Sequence, residues 1–162
     1  MDDAWFIRNV ADMAWSTVPG GGTWCVFEND GVRSPTLGIG IHVLPPGEAP
    51  GFYHREDQQE GFLVLAGACV AIVEGEEHRM GPWDYLHCPP GTAHITVGAE
   101  GDEPCAIMMV GTRSPDAETE YLADPVAAKH GVAVATPTAD AREAYADRPS
   151  FAPAPPPFPP RP

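Results

Sequence analysis

Positive charge is what this sequence has least of. Among 162 residues, Lys and Arg together number 9 against 23 Asp and Glu, and only one of them, Lys129, is a lysine. The formal charge of −14 repels phosphate backbones and anionic lipid headgroups, so neither nucleic acid nor a membrane surface is an expected partner. Long apolar runs are also missing. The longest, Phe62 to Val73, has twelve residues and is broken by Gly67, whereas a membrane-spanning helix needs roughly 20. No G-x-G-x-x-G or Walker-type loop occurs, which removes the common phosphate cradles. Met1-Asp2-Asp3 lacks the basic stretch and apolar core of a secretory leader. Cys25, Cys69, Cys88 and Cys105 lie far apart with no C-x-x-C pair and read as buried free thiols, so the cytoplasm is the expected compartment.

Turn formers are abundant instead. Seventeen glycines and twenty prolines accompany a hydrophobic fraction of 43 %, enough apolar residues for a core but arranged for short strands rather than long helices. Strand-like segments run over 23–27, 36–44, 60–66, 69–73, 78–80, 85–88, 93–97 and 104–111, separated by Pro45-Pro46-Gly47, Gly67-Ala68, the hairpin signal Glu74-Gly75-Glu76-Glu77, and Pro89-Pro90-Gly91. This pattern predicts an all-β barrel or sandwich. Residues 1–35 read as an N-terminal strand and loop extension, 36–112 as the barrel, and 113–162 as a C-terminal extension. Within that extension, Asp124-Pro125 and Lys129-His130-Gly131 bracket a short helix, and 139–146 suits another. From Pro149 onward eight of fourteen residues are proline, a composition that favours extended polyproline and does not build a ladder. The tail is expected to be loose or laid along the barrel through Phe151 and Phe158.

One constellation carries chemistry. His54, Glu56 and Glu60 have the parity of one strand face, and His94 follows forty residues after His54, just past the Pro89-x-Gly91 turn. Brought together on neighbouring strands, two imidazoles and two carboxylates make an N₂O₂ set for a divalent transition metal ion. If Glu56 points to solvent instead, His54, Glu60 and His94 still form a two-histidine, one-carboxylate set with open positions.

The segments His54-x-Glu56, Glu60 and Gly67, then Pro89-x-Gly91 and His94, resemble the two sequence motifs of the cupins, with the hairpin signal at 74–77 in the usual place between them. Glu56 stands where the second histidine of the first motif would be, Trp83 where the glycine opening the second would be, and Gly98 where its terminal asparagine would be. The resemblance implies a double-stranded β-helix, a jelly-roll barrel, with metal ligands inside one mouth: His54, Glu56, Glu60 and His94 holding Fe, Mn, Zn, Ni or Co. It further implies a metal-dependent enzyme acting on a small organic molecule, of dioxygenase, isomerase, decarboxylase or cyclase type. The alternative is a non-catalytic small-molecule-binding or sensing cupin, with or without metal.

Tyr53, Trp83 and Tyr85 flank the expected site in sequence and are candidate pocket walls. His87 and Cys88 are further pocket candidates, since one of the two must face the lumen. His42, His78 and His130 have no partner pattern and are expected to be structural or superficial. Phe62-Leu63-Val64-Leu65 is apolar on both faces, so the outer face of that strand needs a cover: a second subunit, as small cupins commonly provide, or the chain's own N-terminal strand or tail.

Overall fold

The computed structural model describes residues 5–28, 33–101 and 103–158. Its strands are β1 (Trp15–Thr17), β2 (Thr23–Val26), β3 (Leu37–Leu44), β4 (His54–Glu56), β5 (Glu60–Ala66), β6 (Cys69–Val73), β7 (Glu76–Met80), β8 (Tyr85–Cys88), β9 (His94–Gly98), β10 (Cys105–Thr112), β11 (Thr119–Tyr121) and β12 (Ala152–Ala154). They form two antiparallel sheets, ordered β12-β1-β2-β3-β10-β5-β8 and β11-β4-β9-β6-β7. This is the mostly-β jelly roll that the strand spacing and the motif resemblance predicted. Two short helices, α1 (Pro125–Lys129) and α2 (Ala141–Ala144), follow the barrel. The Asp124 carboxylate caps α1 by accepting from Val126 N and Ala127 N at 2.8 Å. Among the described residues no helix is long and apolar enough to cross a membrane.

Period-two alternation decides which residues enter the lumen. Leu44 on β3, Phe62 and Val64 on β5, Cys88 on β8, and Cys105 and Ile107 on β10 meet Cys69 and Ala71 of β6 in one buried cluster between the sheets. The β6–β7 hairpin closes through Glu74 and Gly75, both at positive φ (49° and 77°), the geometry whose twist matches that of the flanking strands. Gly75 satisfies the expectation from composition; Glu74 adopts the same region because its carboxylate is tied down, accepting from Ala93 N at 2.7 Å.

The intervening residues are apolar too, and extensions of the chain lie over them. Leu65, Ile41, Val43 and Ala106 on the outer face of the larger sheet pack against Trp15, Val10 and Met13 from the N-terminal segment and Ala154 and Phe158 from the tail. The tail is laid along the barrel, one of its two expected states, but departs from expectation in its pairing. Although rich in proline, it builds a ladder, with Ser16 opposite Pro153, and this is tolerated because β12 is an edge strand whose missing N–H leaves no neighbour unpaired. Phe158 meets Trp15 edge-on at 5.7 Å. On the smaller sheet, Ile72, Ile95 and Val97 are covered by Tyr53, Ala127 and Val132. All four cysteines are free and buried.

Gly67 makes the turn between β5 and β6 possible. Its φ is +68°, and a β-carbon there would lie 2.3 Å from the Pro104 carbonyl oxygen. Gly67→Ala should destabilise the fold by about 2 kcal/mol, read as a shifted midpoint in urea unfolding with an unchanged slope.

Candidate metal centre

The site is assembled from both sheets. In the smaller one, His54 of β4 lies directly opposite His94 of β9, with ring centroids 4.9 Å apart. In the larger one, Glu60 opens β5 opposite Cys88 of β8. Side-chain donor atoms of His54, Glu60 and His94 all lie within 4.8 Å of one another.

Each imidazole is oriented by its far nitrogen. His54 Nδ1 contacts the Phe52 carbonyl oxygen at 2.7 Å, and His94 Nδ1 the Thr92 carbonyl oxygen at 3.0 Å. A carbonyl only accepts, so both Nδ1 atoms carry the proton and donate it, leaving the Nε2 atoms to face the lumen. His94 Nε2 lies 2.9 Å from Glu60 Oε2, yet neither atom makes a hydrogen bond of acceptable angle, and both are buried. Atoms converging in this way call for positive charge between them, which either a proton on His94 or a metal ion supplies. The donor chemistry and these orphaned atoms thus fit a divalent transition metal ion held by His54, Glu60 and His94.

Glu56 occupies a flank of this group. Its Oε1 lies 3.5 Å from His54 Nε2 and accepts from the Thr119 hydroxyl at 3.4 Å. Its carboxyl is held below the usual range, chiefly by the His54 side chain beside it, with burial opposing. Of the four expected ligands, three converge and the fourth stands beside them.

The other candidates separate by strand parity. Cys88 faces inward, buried against His94, and His87 faces outward opposite Gly61. Tyr53, Trp83, Tyr85 and His87 are not among the residues lining the cavity beside these donors. Tyr53 is buried beneath α1 and accepts from Gly75 N at 3.0 Å. Trp83 sits 76 % exposed in a turn at positive φ, and Tyr85 is 60 % exposed on the outer face. Arg55 is spent on Glu120 across the β4–β11 pair, at 2.8 Å.

The cavity next to these donors, of about 240 Å³, is walled instead by His42, Met109, Thr119, Tyr121 and Tyr145 with His54, Glu56 and Glu60. His42 is not superficial: it lies in the strand-paired interior, and its Nδ1 is buried without a partner. Tyr121 reaches the mouth because β11 pairs with β4. Tyr145, just past α2, meets it edge-on at 5.3 Å. The parity of 40, 42 and 44 is the signal for His42. No local signal marks Tyr121 or Tyr145, whose segment carries neither motif.

Burial opposes charge on His94, but the Cys88 and Glu60 side chains outweigh it and hold the imidazolium up to about 10. Being raised above its ordinary 6.5, this group adds stability to the metal-free fold that is complete below 6.5 and is lost as pH climbs toward about 10. Metal uptake at neutral pH should therefore release about one proton per ion, measured by calorimetry in two buffers of different ionisation enthalpy. Equal heats in the two buffers would contradict it.

The family model described as "Cupin domain" matches residues 40–111. No curated protein matches the chain. Among solved structures, a sugar phosphate isomerase of the cupin superfamily from Silicibacter pomeroyi superposes with a TM-score of 0.64 at 25 % identity, over 74 % of this chain and 82 % of the other. KdgF from a Halomonas species does so with a TM-score of 0.53 at 25 % identity, over 69 % and 96 %. The polyketide cyclase RemF of Streptomyces resistomycificus, at 17 % identity and a TM-score of 0.59 over 70 % and 83 %, shares the fold.

Proposed function

We propose that this chain, whose residues 40–111 match the cupin domain model, holds a divalent transition metal ion through His54, Glu60 and His94 and acts with it as an enzyme on a small organic molecule. The observation that carries this reading is the convergence of the three donors within 4.8 Å while both Nδ1 atoms are engaged by backbone carbonyls. A bound ion would supply Lewis acidity to substrate oxygens at its open positions.

The chain's own side chains do the rest. Glu56, ionised and next to His54, either completes the ligand set or accepts a proton from a substrate seated beside it. Tyr121 and Tyr145 narrow the mouth and restrict water. The unpartnered Nδ1 of His42 offers a hydrogen bond to a polar group of the occupant. The sugar phosphate isomerase from Silicibacter pomeroyi supports small-molecule chemistry in a relative at 25 % identity.

The reading includes a cytoplasmic homodimer, supported by four buried free thiols and by the exposed Leu37 on β3 and Tyr85 on β8, at 39 % and 60 %. Light scattering at micromolar concentration should give the mass of two chains; a monomer mass would overturn the dimer.

Protein purified without chelator should contain about one metal ion per chain, and His94→Ala should lose it while keeping a β-rich circular dichroism spectrum. Stoichiometric metal retained in that variant would overturn the ligand set. His42→Phe should keep its metal, because His42 lies outside the converging group.

A further inference from the structure

The metal pocket, at about 240 Å³, is small for an organic substrate, since ligand sites generally enclose about 300–1,000 Å³. It adjoins a second chamber of about 400 Å³, whose walls include Val18, Trp24, Pro50, Tyr145, Arg148 and Phe151. Pro50 and Tyr145 line both spaces. Trp24 of β2, in the chamber, lies 6.2 Å from the His42 ring, in the metal pocket. The two spaces are thus neighbours that share walls, the first lined by the converging donors and the second largely by aromatic side chains.

Two features of the second chamber point to its occupant. Phe151 is 71 % exposed, yet it is not adrift, because β12 begins at the next residue and pairs with β1. Its ring stands edge-on to Trp24 at 6.1 Å, so the pair holds apolar faces open at the chamber wall. Arg148 is the charge there. Among the described residues it has no carboxylate partner, in contrast to Arg55 and Arg113, which are paired with Glu120 and Glu28. Its guanidinium lies 4.4 Å above the Phe52 ring and 5.7 Å from that of Tyr145, and its one hydrogen bond, to the Gly51 carbonyl, is long at 3.5 Å. Stacking fixes the plane of the fork and leaves its N–H edge free for a planar anion.

We propose that this chamber binds the aromatic body and carboxylate of an aromatic organic acid, with the ring against Trp24 and Phe151 and the carboxylate on Arg148. The proposal names the substrate class for the metal-site reading above and rests on it. A planar carboxylate suits the single fork, whereas a phosphate dianion presents more charge than one guanidinium neutralises.

The test is calorimetric titration of zinc-loaded protein with p-coumarate, with its neutral amide, and with glucose 6-phosphate. The acid should bind at least about tenfold more tightly than the amide. Arg148→Gln should abolish that preference with zinc content and melting temperature unchanged, and Arg148→Lys should restore part of it. Phe151→Ala, at an exposed position that cannot compromise the core, should weaken acid and amide alike by about fivefold. Equal binding of acid and amide by the wild type, an acid preference that survives in Arg148→Gln, or tighter binding of glucose 6-phosphate would overturn the proposal. Wild-type protein that takes up no zinc would overturn the metal reading instead. The comparison of acid and amide on metal-free wild type and Phe151→Ala would then still decide this one.

Discussion

Two imidazole nitrogens and a carboxylate oxygen that face one another in a buried space leave lone pairs unsatisfied unless a proton or a metal ion lies among them. Much of this molecule is organised around that constraint. The Nδ1–H groups of His54 and His94 are committed to the carbonyls of Phe52 and Thr92, so the rings cannot turn their protonated edges inward to relieve it. Glu60 comes from the other sheet. A cation at this point therefore also draws together two sheets that are otherwise joined by apolar contacts across the lumen. In the metal-free protein a proton takes that part, which is why His94, despite its burial, holds its proton up to about 10.

A barrel built this way has strands that are apolar on both faces, and the chain resolves the problem largely with its own extensions. The N-terminal segment and the proline-rich tail lie over Leu65 and Ile41, while α1 and the residues after it lie over Ile95 and Val97. Because the tail is pinned by β12 and Phe158, the segment between α2 and β12 has little freedom. It is this segment that carries Tyr145, Arg148 and Phe151 to the mouth. Covering the core and furnishing the site are in this sense one task.

Strand parity made much of this legible in the amino-acid order. It placed His54 and Glu56 on one face and Glu60 in step with them, and the Pro89-x-Gly91 turn announced His94. Applied consistently, the same rule excludes Tyr53, which neighbours His54 and so points the other way. It also separates Cys88 from His87. Adjacency in sequence was a poor guide to adjacency in the lumen, as Trp83 and Tyr85 illustrate from opposite ends of a turn and a strand. What local order could not reveal was the second layer of the site. Parity does mark His42 as inward-facing, and what it leaves open is the β3–β10 register, which sets His42 opposite Ile107. Tyr121 depends on β11 joining β4. Tyr145 and Arg148 depend on how a segment without alternation folds back over the mouth. The pairing of Pro153 was likewise invisible, because composition argues against a ladder there and only an edge position permits one.

The charge distribution gives this second layer its meaning. In a chain of 23 acids and 9 Lys and Arg, a cation would ordinarily be captured by the nearest carboxylate, as Arg55 and Arg113 are. Arg148 makes no such pair among the described residues, although Glu143 and Asp147 line a cavity with it, and its guanidinium lies on aromatic faces instead. Phe52 and Tyr145 stabilise the guanidinium through their π clouds without consuming its donors. Surface acids repel an anion at long range, but that repulsion is screened within about 8 Å at physiological salt. The contact with Arg148 is short-ranged and sheltered by rings, so it survives the same screening. The outer surface thus disfavours polyanions at a distance, while the mouth keeps one local cation for a small, flat anion. Overall charge and local charge act on different ligands because they act over different lengths.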